Sequence, residues 1–400
     1  MKRVFTIITA VLISAVSLAQ TDAFKAWLKN GKGELAKQKF ANKKLDKKEA
    51  EEAAIVIDSL WLKEQAQELK HEWKKMILTH DTLQLACAIR TFGMCPRDGR
   101  SLYISMHGGG ECPKEVNDEQ WMNQIYLYEL PEGVYVAPRA PWNTWNMWHR
   151  KGLDALFEKL IRCCVVFEGV NPNKVYLMGY SAGGDGVWRM APRMADKWAA
   201  ASMIAGHPGI ASQVNLLNVP FSIWMGEHDA AYDRNSLAKE KGAVMDSLEA
   251  ANPGKYIHST NIVEGKGHWM ERADTMAISW LAQHRREPYP SRVVWRQEEV
   301  TRRNFYWLGI PEGQECRHKM MVVAEYDGNT IDIEHSDYNH LMLYLNDQMM
   351  NLDKPITVRY KGKKIFRGKV SRTFATMSQT LNERQDLRYI FPANIDIELK

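Results

Sequence analysis

The sequence predicts an α/β fold: a mostly parallel sheet with helices on both faces, an N-terminal helical segment before it and a small all-β domain after it. Three observations predict this. Strand-like apolar runs alternate with helix-period runs from about residue 83 to 284, and repeated β-α units require a mostly parallel sheet covered on both sides. Upstream, one apolar stripe at four-three spacing marks a single long helix. Downstream, about 110 residues read as short alternating strands separated by turns, the pattern of a small β-sandwich or barrel.

A chain of 400 residues suits one large domain and a smaller one. Its 45% hydrophobic and 25% charged content is an ordinary globular balance, enough to build a sizeable core. The net charge of +5 is too small to point to nucleic acid in a chain without a nucleic-acid-binding motif. Residues 1–19 read as a signal peptide. Met1-Lys2-Arg3 is a charged start, Val4 to Val16 is an apolar run too short to span a bilayer, and Ser17 and Ala19 offer the small residues of a cleavage site. Cleavage after Ala19 and export to a periplasm or beyond are expected. No later run is apolar enough for membrane insertion. Cys87, Cys95, Cys112, Cys163, Cys164 and Cys316 are irregularly spaced, with no C-x-x-C. Cys95–Cys112 is the one bridge the spacing suggests, against the simpler expectation of buried free thiols.

In chain order, residues 20–80 form the helical lead-in, with a long helix over 48–78 whose stripe is Leu62, Ala66, Leu69, Trp73 and Met76. A helix lying on the main domain explains two clean heptads better than a coiled-coil seam does. Leu83, Leu85, Cys87 and Ile89 alternate with polar or small residues as a strand, and 101–106 and 133–138 are further strands. A helix over 153–167, a strand over 174–180 and a helix over 182–194 follow. Strands at 199–206 and 220–226, a helix at 237–251, a strand at 256–265 and a helix at 269–284 complete the unit 81–286. Two prolines near Glu287 mark a boundary, and 287–400 carries the β-rich text. In such parallel sheets, ligands bind beyond the carboxyl ends of the strands.

The chemistry should therefore lie where the strands end. "KVYLMGYSAGGDGVW" places G-x-S-x-G between a strand and a helix. That context makes Ser181 the hydroxyl of a tight nucleophile turn, in which Gly179 and Gly183 let strand and helix approach. A phosphate-cradling loop would end in Lys, and this one does not. "SMHGGGE" follows an earlier strand. The backbone N–H groups of Gly108 and Gly109, with that of Ala182, are expected to hold a developing oxyanion, and His107 to support the loop. Asp229 ends a later strand, and His268 lies just past the next one. Ser181, Asp229, His268 is the order of a Ser-His-Asp triad on this fold. Asp233, further on, reads as the cap of the following helix. "PRAPWNTWNMWHR" supplies Trp142, Trp145 and Trp148 at a spacing of three, either a packed stripe or a substrate wall, with Arg139 beside them for a carboxylate.

These motifs resemble the bacterial secreted α/β-hydrolases of the esterase, polyhydroxybutyrate-depolymerase and feruloyl-esterase-like group, over roughly residues 83–284. The resemblance implies an α/β-hydrolase fold, serine-dependent hydrolysis of an acyl bond and no metal or organic cofactor. The substrate it implies is a carboxylic ester, small, carbohydrate-linked or aromatic. Three other readings compete. A prolyl-oligopeptidase-type serine peptidase shares the turn and the triad order, but no propeller precedes the unit. A non-catalytic carbohydrate- or surface-binding protein on the same scaffold has no need of Ser181. A metal site built from His107, His149, His207, His228 and His268 with Asp185 and Asp229 lacks any H-x-H or H-E-x-x-H spacing.

Overall fold

The computed structural model describes residues 38–399, and the expected signal segment 1–19 lies outside them. The central sheet has eight strands: β1 (Ile77–His80), β2 (Leu83–Phe92), β3 (Arg100–Met106), β4 (Gly133–Arg139), β5 (Val170–Tyr180), β6 (Ala200–Ile204), β7 (Phe221–Gly226) and β8 (His258–Val263). They lie in the order β1-β2-β4-β3-β5-β6-β7-β8, an α/β-hydrolase arrangement. The pairs β1–β2 and β2–β4 are antiparallel, and every pair from β4 to β8 is parallel.

Alternation along the inner strands separates two cores, because successive side chains on a strand point to opposite faces. Leu102, Ile104, Val134, Val136, Val175 and Leu177 belong to one face, and Tyr103, Tyr135, Ala137, Tyr176, Met178 and Tyr180 to the other. The first face is covered by the end of α1 (Lys47–Lys75), by α3 (Leu153–Glu168), α4 (Ala182–Arg193) and α5 (Arg234–Ala251). The tyrosine face is covered by α2 (Lys114–Leu127) and α6 (Met276–Leu281).

Several elements differ from the sequence reading. Helix α1 stops at Lys75 because Met76 turns left-handed (φ 55°), and the next residues pair as β1. Its buried stripe is Ile57, Trp61, Gln65, Leu69 and Trp73, with Leu62 and Ala66 at its margin. Helix α2 was not foreseen. The helix expected over 269–284 shrinks to six residues, since Glu271 and Arg272 (φ 52° and 68°) turn the chain away from His268 first. All six cysteines are free, so Cys95 and Cys112 form no bridge.

Beyond Glu287 stand two sheets. One joins β10 (Asn304–Phe305), β11 (Leu308–Gly309), β14 (His340–Leu345) and β17 (Ala393–Glu398). The other joins β9 (Arg292–Arg296), β12 (Met321–Asp327), β13 (Thr330–Ser336), β15 (Ile356–Tyr360) and β16 (Lys363–Gly368). They carry one helix of 11 residues, α7 (Phe374–Arg384). This region shares a continuous apolar core with the first face of the central sheet. The proline-marked passage is packed in: Tyr289 meets the rings of Tyr389 and Phe391 edge-on. Buried Arg286 grips Asp386 at 2.7 Å, Asn173 and the Asp196 carbonyl. Two segments far apart in sequence also meet. Leu45 bridges Arg372, Phe40 lies edge-on to Phe374, and Trp61 shares a core with α7.

Removing one partner of a buried ion pair strands the other charge. Asp386→Ala is expected to lower the unfolding free energy by about 3–5 kcal/mol in urea melts, since it leaves Arg286 unpaired. A loss below about 1 kcal/mol would mean that water replaces the carboxylate there.

Candidate active site

Strand β5 runs into α4 through Ser181 alone. A Cβ on Gly183 would collide with the Met106 carbonyl, and one on Gly179 with the Gly183 carbonyl, so strand and helix touch only because both lack side chains. The crossing forces Ser181 to φ 57°, ψ −121°, a conformation that L residues rarely adopt. The Ser181 N–H is anchored on the Ile204 carbonyl at 2.9 Å, and its Oγ projects into a cleft of about 400 Å³.

His268 and Asp229 reach this oxygen from two separate loops. Ser181 Oγ stands 3.0 Å from His268 Nε2, and His268 Nδ1 stands 2.7 Å from Asp229 Oδ2. The Asp229 side chain is 1% exposed, whereas that of His268 is 43% exposed. The Asp229 N–H bonds the Gly226 carbonyl at the end of β7. The His268 loop is held by Tyr180, the residue before the serine. Its hydroxyl donates to the His268 carbonyl at 2.7 Å and accepts from the Met270 N–H at 3.2 Å.

Gly108 packs against the Ser181 side chain, and Gly109 and Ala182 line the cleft with it. Ala182 opens α4, so its N–H lacks an intrahelical acceptor and is free to face a ligand. The Gly110 N–H is taken by Asn117, a buried α2 residue whose amide also bonds the Cys112 carbonyl. His107 lies beneath the loop, fully buried. Its Nδ1–H donates to the Gly108 carbonyl at 2.6 Å, and its Nε2 accepts the Ala140 N–H at 3.2 Å. One donor and one acceptor fit a neutral ring, and burial pushes its pKa down to about 4.

The other residues singled out from the sequence divide. Trp145, 57% exposed, lines the cleft. Trp148 is fully buried, donates to the His107 carbonyl and packs edge-on to His107 and Phe157. Trp142 lines a different cavity and stacks on Arg150. The segment is a run of turns, so spacing by three aligns nothing. Arg139 is not available to a substrate. It is committed to Asp118 at 2.8 Å, the Ala140 carbonyl and Asn143, with 11% of its side chain exposed. Asp233 makes no cap: it is exposed and left-handed (φ 56°), whereas an N-cap needs extended backbone to aim its carboxylate. Among the described residues, no group of three His, Cys, Asp or Glu could hold a metal ion. The sequence reading missed Asn117, Tyr180, Arg189, Tyr232 and Arg234, and considered His149 only as a metal ligand.

No family model and no curated protein matches the chain. Solved structures do align with it. A thermostable esterase is 19% identical over 53% of this chain and 63% of its own, at a TM-score of 0.42. A poly(3-hydroxybutyrate) depolymerase from Bordetella parapertussis is 17% identical over 51% and 86%, at 0.39. A phospholipase/carboxylesterase from Dyadobacter fermentans is 17% identical over 51% and 99%, at 0.34. The alignment thus spans less than two thirds of the esterase. At these scores the function has to be argued from the site itself.

His107 gives this site a pH signature. A histidine held neutral by burial binds fewer protons folded than unfolded, so its contribution is complete above pH 6.5 and is lost as pH falls towards about 4. The thermal-stability advantage of the native chain over His107→Gln should shrink across that window and stay level above it. An advantage that is constant from pH 4 to 8 would show that the ring protonates without cost.

Proposed function

We propose that this chain is a serine hydrolase that cleaves carboxylic esters through an acyl-enzyme. The observation carrying this reading is one connected chain: a strained Ser181 with its Oγ 3.0 Å from His268 Nε2, and His268 Nδ1 2.7 Å from a buried Asp229. Ser181 Oγ attacks the ester carbonyl carbon as His268 Nε2 takes its proton. The carbonyl π electrons move to oxygen, and the N–H groups of Ala182, Gly108 and Gly109 receive that charge. Asp229 keeps the proton of the neutral ring on Nδ1 and stabilises the imidazolium. Collapse of the tetrahedral adduct breaks the bond to the alcohol, which leaves with the proton from Nε2. Water, deprotonated by the same nitrogen, then attacks the acyl-serine and releases the acid.

Among the described residues, no helix is long and apolar enough to cross a membrane. Export belongs to this reading through residues 1–19 alone. The exposed Trp145 and Tyr232 at the cleft support aromatic or sugar-linked esters as the substrate class.

A fluorophosphonate probe should label the native protein and leave Ser181→Ala unlabelled. Labelling that persists in Ser181→Ala would place the nucleophile elsewhere. Asp229→Asn should fold normally and lose up to about four orders of magnitude in kcat, because the imidazole loses its tautomer and counter-charge. Asp233→Asn, exposed and remote from the hydrogen-bonded chain, should keep kcat within about threefold. The reverse pattern would transfer the acid role to Asp233.

A further inference from the structure

The cleft beside Ser181 holds more hydrogen-bond donors than the ester reaction uses. Asp185 and Arg189 follow Ser181 at four and eight residues along α4 and line the same cleft. Arg234 enters it from the start of α5. Each guanidinium is braced without being satisfied. Arg189 Nη1 binds Glu299 at 2.8 Å, and no acceptor among the described residues takes its Nε or Nη2. Arg234 lies over the Tyr232 ring at 4.8 Å and 3.8 Å from Asp229 Oδ1, and its Nε is buried without a partner. His149, 8% exposed, lines the cleft too, and its Nε2 is buried and unpartnered. Burial, with Arg189 and Arg193 nearby, lowers its pKa to about 3, so the ring is neutral.

The acids at hand do not absorb these donors. Asp229 already serves His268, and Glu299 holds one nitrogen of Arg189. Asp185 accepts the His207 N–H at 2.6 Å, and burial pushes its carboxyl towards the neutral form. Glu111 sits exposed at the mouth. A part-buried guanidinium with free N–H groups facing a cleft is the arrangement that a two-oxygen anion satisfies, because the planar fork matches a carboxylate.

We propose that Arg189 and Arg234, with His149, bind a carboxylate carried by the ester substrate, so that the enzyme selects acidic esters over neutral ones. This rests on the ester-hydrolase reading above and adds the charge of the substrate. Arg189 is the residue to test, because Arg234 also touches Asp229.

Two matched pairs set a carboxylate against its methyl ester: 4-acetoxybenzoate against methyl 4-acetoxybenzoate, followed by acetate release, and monomethyl adipate against dimethyl adipate, whose rate is halved for its two equivalent esters. The first places the anion on the leaving group and the second on the acyl group. Rates are divided by those of hydroxide hydrolysis. In at least one pair the native enzyme should favour the anion in kcat/KM by about tenfold or more, and Arg189→Met should cut that ratio to about threefold or less. Neutral esters preferred in both pairs, or a ratio that Arg189→Met leaves intact, overturns the proposal while the hydrolase reading stands. A native protein that cleaves neither member of either pair and takes no fluorophosphonate overturns both. A check without a variant is inhibition of neutral-ester hydrolysis: 4-hydroxybenzoate should compete at about tenfold lower concentration than 4-hydroxybenzamide, and equal potency counts against the carboxylate site.

Discussion

Everything in the site depends on strand β5 and helix α4 passing each other with only backbone between them. Two glycines without Cβ atoms allow the crossing, and the crossing leaves the residue between them no relaxed conformation. The strain at Ser181 is held by the parallel pairs β3–β5 and β5–β6 and by its N–H bond to Ile204. A rigid sheet thus fixes the serine oxygen, while the side chains hydrogen-bonded in line with it arrive on loops. That division explains why Asp229 and His268 need supports of their own.

Those supports are polar groups on one face of the sheet and beneath its ends. Tyr135, Tyr176 and Tyr180 send their hydroxyls to the carbonyls of Gln124, His284 and His268, tying helices and loops to the strands below. His107 does the same for the glycine loop, and Asn117 reaches it from α2. A buried polar atom is costly when unpaired and rigid when paired, so each of these contacts trades stability risk for placement.

The sequence showed what is local. Ser181, Asp229 and His268 were legible because each follows a strand with a clear apolar pattern, and the structure brings the three side chains together as that order implies. What escaped depends on neighbours distant in sequence. Helix α2 buries only Asn117, Gln124 and Ile125, so it has no apolar stripe to read. Missing it also hid the fate of Arg139, whose partner Asp118 lies on that helix. The tryptophans divide between core and cleft for a different reason: spacing has meaning only inside a regular element, and Pro141 opens a run of turns. Arg189 and Arg234 carry no local signal, since only the packing of α4 and α5 brings them to one cleft.

The meeting of α1 with α7 has a kinetic meaning. The first half of α1 buries Ala50, Ala53, Ile57 and Trp61 against Phe374, Met377 and Leu381, more than three hundred residues later. On a ribosome, that helix precedes its cover by more than three hundred residues, and its apolar side stays uncovered until residues 374–381 follow. Its capping box, Asp46 with Glu49, preserves its start meanwhile. Closure therefore waits on residues 374–381, and a chain that lacks them leaves an open seam for the quality-control machinery to find.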